Sequence, residues 1–258
     1  MAGPATKLER ISRYASVYEA DYRFEAVLVA ARQRTVLEHL TRWQPRVVVE
    51  AGCGDDLLFS RADQAGVPFD RWVIVEPSPR FAEVAEAHAA GTGGRIVVIR
   101  SFLEDAVEDV VAACPRPADV VLCSSVLHEV ADPRTFLDAA RRMLAADGRA
   151  YIDVPNARSL HRRLARAMGL IADETELSAR NLTFEQDRVY DACSLRHEIE
   201  GSGLQVLEEG GHFIKPFTHG QMEQLGFADE RMVEGLRILG QELPDLAAEI
   251  FCVAEPGA

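Results

Sequence analysis

Between residues 7 and 43, apolar side chains recur at spacings of three and four. Phe24, Val27, Leu28 and Ala31 run on through Val36, Leu37 and Leu40, which predicts an N-terminal helical cap over residues 1–44, ended by Pro45. The period then changes. Val47, Val48 and Val49 form a β-branched run too short for a helix, so a buried parallel strand is expected. WVIVE, RIVVI, DVVLCSS and GRAYIDVP repeat that signal, separated by helical stretches at 55–66, 77–90, 103–113 and 133–145. Strands alternating with helices at this interval mean βαβ units and a parallel sheet. The last third changes character, with an insertion at 157–189, a helix over 190–202, the strand LQVLEE and a closing strand EIFCVAE. Between these two strands lies an excursion over 210–246. With no repeat, low-complexity tract or linker, the chain reads as one domain, 1–258, with a core at 45–156 and closing strands in 190–258.

Composition supports a folded α/β chain: 258 residues, 48% hydrophobic and 27% charged, suffice for one substantial core. A formal charge of -13 argues against broad contact with nucleic-acid phosphates or an anionic membrane. The N-terminus lacks the apolar core of a secretory signal and no segment is long and apolar enough to span a bilayer, so the cytoplasm is expected. Cys53, Cys114, Cys123, Cys193 and Cys252 are odd in number and show no metal-ligand spacing, which fits reduced thiols and no metal.

The first strand ends at Glu50, followed by Gly52 and Gly54 at alternate positions, where a missing Cβ lets backbone N–H groups approach a ligand. The second strand ends in Glu76, at the distance where a ribose diol would find a carboxylate acceptor. A dinucleotide fingerprint would need glycine where Leu57 stands, which counts against NAD. The pattern ExGxG, an acid ending strand two and two extra strands closing the sheet resemble the class I S-adenosylmethionine-dependent methyltransferases, over roughly residues 45–255. The resemblance implies a Rossmann-like fold, a mostly parallel seven-stranded sheet with helices on both faces, an N-terminal helical cap and lid insertions. It implies S-adenosylmethionine as cofactor, with Glu50, Gly52, Cys53 and Gly54 around its methionine part and Glu76 on the ribose. Ser101 and Phe102 would lie beside the adenine, and Ser124 below the methionine moiety. The chain departs from the family where Asp56 replaces a common third glycine. SSVLHEV, VPNARSLHRRLARAMGLI and FIKPFTHGQM are similar to a bacterial group acting on small molecules in natural-product and surface-polysaccharide pathways. The signatures of the nucleic-acid branches are missing after strand four, where Cys123, Ser124, Ser125 and Val126 stand.

Methyl transfer from a sulfonium is an in-line displacement, so the enzyme must hold a nucleophile about 3 Å from the methyl carbon in a water-excluded pocket. A hydroxyl or protonated amine also needs a base, a contribution of ~10²- to 10⁴-fold. His128, just past the fourth strand, is the expected base, with Glu129 beside it. Tyr14, Asn156, His161, Lys215 and His219 are expected on the acceptor side, whereas His39, His88 and His197 fall in helical patterns without a role. His212 is grouped with Lys215 and His219 in the late excursion.

Oxygen methylation of a small metabolite is the expected reaction. The alternatives are nitrogen methylation of an amine or amino sugar, and a non-catalytic regulator that binds the same cofactor. An acidic chain has gathered Arg158, Arg162, Arg163, Arg166 and Arg180 in one insertion, with Lys215 in the other, so an anionic acceptor is expected. A homodimer that pairs this basic face with acids of a second subunit explains the same pattern.

Overall fold

The computed structural model describes residues 22–178, 181–182, 186, 188–225 and 229–257, without the side chains at 22 and 23. Tyr14, Tyr18 and Arg180 therefore lie outside the described residues.

A helix, α1 (Tyr22–Trp43), leads into a seven-stranded sheet of order β3-β2-β1-β4-β5-β7-β6. The parallel strands are β1 (Val47–Ala51), β2 (Arg71–Val75), β3 (Ile96–Ile99), β4 (Ala118–Ser124) and β5 (Leu144–Pro155). Antiparallel β7 (Glu249–Pro256) then pairs with both β5 and β6 (Leu204–His212). The connecting helices are α2 (Leu58–Gln64), α3 (Pro79–Ala89), α4 (Val107–Ala113) and α5 (Pro133–Met143). The expected mostly parallel, Rossmann-like sheet is thus what forms.

Alternation decides which helix each strand side chain meets, because successive residues face opposite sides of a sheet. Val47 and Val49 join one core with Phe136, Leu137, Leu195 and Ile199; Val48 joins the other with Val36, Leu40, Trp72 and Phe81. Burial on both faces is why β1 reads as an unbroken apolar run. Glu50 follows the parity of Val48 and so turns toward the α1 side.

α1 packs its first turns, through Phe24, Leu28 and Ala31, on Phe213, Met222 and Ala248. After β5 come α6 (Leu160–Ala167) and α7 (Ala192–Gly201); after β6 come α8 (His219–Gln224) and α9 (Glu230–Glu242). α6 has no buried residue, and its arginines hold its own loop.

Two sequence expectations change. The helix expected over 103–113 is divided into a 3₁₀ turn, Leu103–Asp105, and α4, with Ala106 at φ -103° and ψ 2° between them. β6 runs past Glu209 into the segment assigned to the excursion. It does so because Gly210 lies where a Cβ would come within 2.4 Å of the Phe251 ring, and a Cβ at Gly211 within 2.6 Å of Ala247. His212 consequently ends a strand and is fully buried, its Nε2 3.1 Å from Tyr151 Oη, and it stacks on Phe251 at 5.2 Å, away from Lys215's loop. Burial pushes it down to about 3, so it is a neutral core histidine.

Candidate active site

At the carboxyl ends of β1, β2 and β4 a cavity of about 270 Å³ opens, roofed by α1. Ligand crevices of open α/β sheets lie at this edge. One end is built by the glycine loop. Gly52 and Gly54 have φ of +74° and +57°, a left-handed backbone that favours glycine, and a Cβ on Gly54 would meet nothing within 4 Å. The loop is pinned by Glu76, whose Oε2 accepts the Cys53 N–H at 2.9 Å and whose Oε1 accepts the Ser78 N–H at 2.8 Å. Glu50 Oε2 accepts from Trp72 Nε1 at 2.7 Å. Both carboxyl groups are buried, and burial raises both; Glu50 is pushed up to about 8.

Cys53, 9% exposed, has its thiol 3.7 Å from Glu76 Oε2. Burial first, then the neighbouring carboxylates Glu76 and Glu50, push that thiol far up, so it stays neutral and is no nucleophile.

Of the residues expected on the cofactor, Glu50, Gly52, Cys53, Gly54, Glu76, Phe102 and Ser124 all line this cavity. Ser101 does not; Phe102, Leu103 and Glu104 carry that wall instead, because the chain turns into the 3₁₀ segment there.

The other end lies between α1 and the tip of β4, where Glu25, Val29, Arg32, Ser125 and Glu129 reach the cavity. Asp153, wholly buried on β5, shapes the tip by accepting Ser124 Oγ at 2.7 Å and the Ser125 N–H at 2.9 Å. These bonds hold Ser125 at φ +54°, a backbone a non-glycine residue seldom adopts. Arg32 bonds Glu249 Oε1 at 2.7 Å, and both are buried. Burial raises Glu249, while Arg32 pulls it back.

Glu25 Oε2 lies 3.1 Å from His219 Nε2, and His219 Nδ1 lies 3.2 Å from Lys215 Nζ. With Lys215 an ammonium, its Nζ donates to Nδ1, so Nε2 carries the proton donated to Glu25. The structure therefore brings Lys215 and His219 together behind Glu25. His161 joins them: burial, then the charges of Lys215, Arg162 and His219, push it down to about 2.

Other expectations are relocated. His128 is buried and stands outside the cavity lining, its Nε2 3.5 Å from Glu129 Oε1, so only Glu129 faces the cavity. Asn156 is committed to the scaffold: its amide donates to Ala247 O at 2.9 Å and accepts the Arg158 N–H at 2.8 Å. Among the described residues, the insertion arginines Arg158, Arg162, Arg163 and Arg166 do not line the cavity. Arg162 donates to Glu174 O at 2.6 Å, Arg163 to Arg158 O at 2.8 Å, and Arg166 pairs with Glu174 at 3.1 Å. Arg162, Arg163 and Arg166, three of the residues on which an anionic acceptor was expected, thus bond within their own loop.

Sequence reasoning missed Glu25, Arg32, Ser125, Asp153 and Glu249. Two of them left a signal. Asp153 is a lone acid inside the apolar run Tyr151–Val154, and Arg32 interrupts the stripe Leu28, Arg32, Val36 at spacings of four.

The cavity suits a cationic sulfonium ligand: Glu50, Glu76, Asp55, Asp56, Glu104 and Glu129 line it, with Arg32 the only cation among the described lining residues. A family model described as a methyltransferase domain matches residues 22–209. A ubiquinone biosynthesis O-methyltransferase of Xylella fastidiosa (strain 9a5c) is 28% identical over 109 residues, 42% of this chain; the match spans only 42% of that relative's length. One of Vibrio atlanticus (strain LGP32) is 27% identical over 188 residues, covering 72% of this chain and 75% of the relative. Among solved structures, a 1,6-didemethyltoxoflavin-N1-methyltransferase of Burkholderia thailandensis, with S-adenosylhomocysteine bound, has a TM-score of 0.58. It is 14% identical and covers 100% of this chain and 93% of its own, a likeness of fold.

Proposed function

The chain belongs to the class I S-adenosylmethionine-dependent methyltransferases, and from that premise we propose that it methylates a hydroxyl oxygen of a small molecule seated between α1 and the tip of β4. When bound, S-adenosylmethionine supplies an electrophilic methyl group on a sulfonium sulfur. Glu50, Gly52, Gly54, Glu76, Phe102 and Ser124 would hold it at the glycine-loop end.

The remaining work falls to the residues opposite. The reading is carried by one observation: a cavity with cofactor residues at one end has Glu25 at the other, backed by His219 and Lys215. Glu25 is the group we assign to take the acceptor's proton, and His219 and Lys215 position it. His128, outside the cavity lining, is placed to act through Glu129. Arg32 pairs with Glu249, and Lys215 bonds His219 rather than lining the cavity, while Glu25 and Glu129 do line it, which favours a neutral hydroxyl over an anion. The O-methyltransferases among the relatives support oxygen as the methylated atom.

The test is an acceptor screen with mass detection of an added methyl group, run with hydroxyl and amine compounds in parallel. Methylation confined to hydroxyl compounds is expected. Transfer to amines alone would refute the oxygen assignment.

A further inference from the structure

Glu50 and Glu76 end neighbouring parallel strands and face the same cavity, yet they are treated differently. Glu76 accepts backbone N–H groups from Ser78 and Cys53, at 2.8 and 2.9 Å, the kind of bond that favours a carboxylate. Glu50, on the α1 side, accepts from one neutral indole N–H. Two carboxyl groups this close in a poorly solvated wall do not both ionise readily, and the proton stays with the less hydrogen-bonded one. No arginine or lysine pairs with Glu50 among the described residues. Arg32, which also lines the cavity, bonds Glu249; Arg80, on α3, bonds Asp55 at 3.1 Å; and the Cys53 thiol, 3.7 Å from Glu76, is neutral.

We infer that Glu50 distinguishes the positively charged methyl donor from its product, releasing a proton to solvent when S-adenosylmethionine binds and regaining one when S-adenosylhomocysteine takes its place. The inference rests on the methyltransferase reading. A sulfonium beside Glu50 supplies the cation that the wall lacks, whereas the thioether of the product does not. Ionised Glu50 then attracts the donor more than the product, which favours product departure.

The direction with pH follows. In the ligand-free protein burial, then Glu76's charge, raise Glu50 to about 8 against the pull of the Trp72 N–H, so most molecules hold that proton at pH 7. Donor affinity should therefore rise with pH up to about 8, by at most about tenfold per unit for one linked proton.

Calorimetry of S-adenosylmethionine and S-adenosylhomocysteine binding, repeated at pH 7 in buffers of different ionisation enthalpy, counts the protons without any turnover. The expected result is close to one proton released per donor bound and markedly fewer per product. Glu50→Gln keeps an acceptor for Trp72 and removes the titration, so its donor affinity should be level between pH 6 and 8 and its preference for donor over product reduced. Equal proton release for both ligands in the unaltered protein overturns the inference, even if the variant fails to fold. So does a variant that keeps the full pH dependence. An unaltered protein that binds neither ligand would overturn the methyltransferase reading itself.

Discussion

Glu76 offers the sharpest perturbation, because one side chain both braces the glycine loop and lines the cavity. Glu76→Ala removes the acceptor of two buried N–H groups, those of Cys53 at 2.9 Å and Ser78 at 2.8 Å. Hydrogen bonds to charged groups contribute ~1.5–3 kcal/mol each, and orphaned donors add to the loss. Against this, removing a carboxylate that burial disfavours returns part of the energy. The net stability loss should be about 2–4 kcal/mol. Ligand affinity should fall separately by one charge-assisted acceptor, ~1.5–3 kcal/mol, or roughly ten- to 150-fold in Kd. Glu76→Gln is the control: it keeps one acceptor but turns an NH₂ group toward one of the two donors, so its losses should be intermediate. Calorimetry with S-adenosylhomocysteine and thermal melting separate the two effects. A Glu76→Ala protein that melts early but binds within about twofold of the unaltered protein would show that Glu76 is only a loop brace, refuting its place on the ribose.

Three further outcomes are expected. With an acceptor from the screen, Glu25→Gln should lower kcat at least about tenfold, least at high pH where the acceptor ionises unaided, and His128→Gln should cost less; the reverse order in steady-state kinetics would return the base to His128. Lys215→Met should change acceptor KM or kcat through the His219–Glu25 contact without altering S-adenosylhomocysteine affinity in calorimetry, and phosphate should not compete with acceptor. Stability should fall in acid: burial holds His212 at about 3 and His161 at about 2, below the ~6.5 of an unfolded histidine, so the unfolded chain binds more protons below pH 6.5. Their stabilising effect is complete above pH 6.5 and drains as pH drops below it; denaturant melts of His212→Gln should show a shallower acid loss than the unaltered protein.

The glycine-loop end of the cavity was legible because it is written locally. A β-branched run, an acid and two alternating glycines lie within one short stretch, and the backbone angles at Gly52 and Gly54 depend on their own lack of a Cβ. The parallel sheet followed from the alternation of strands and helices. The opposite end was not legible, because its parts come from distant elements: Glu25 on α1 meets His219 on α8, and Arg32 on α1 meets Glu249 on β7. Such pairs leave no spacing to read. The partners of Arg162, Arg163 and Arg166 were not legible for a related reason, since the Glu174 and Arg158 carbonyls and the Glu174 carboxylate sit in the same insertion and only its folding reveals them. His212 was misplaced because Gly210 and Gly211 read as a loop, while in the sheet they make room for Phe251 and Ala247.

The central claim is transfer of a methyl group from S-adenosylmethionine to a hydroxyl in this cavity. The most direct measurement incubates the protein with methyl-labelled S-adenosylmethionine and a screened hydroxyl acceptor, and follows labelled product and S-adenosylhomocysteine together by mass. Equal amounts of the two, formed only when acceptor is present, with the label on oxygen, are predicted. S-adenosylhomocysteine formed at the same rate without acceptor, or label on nitrogen, would contradict the account.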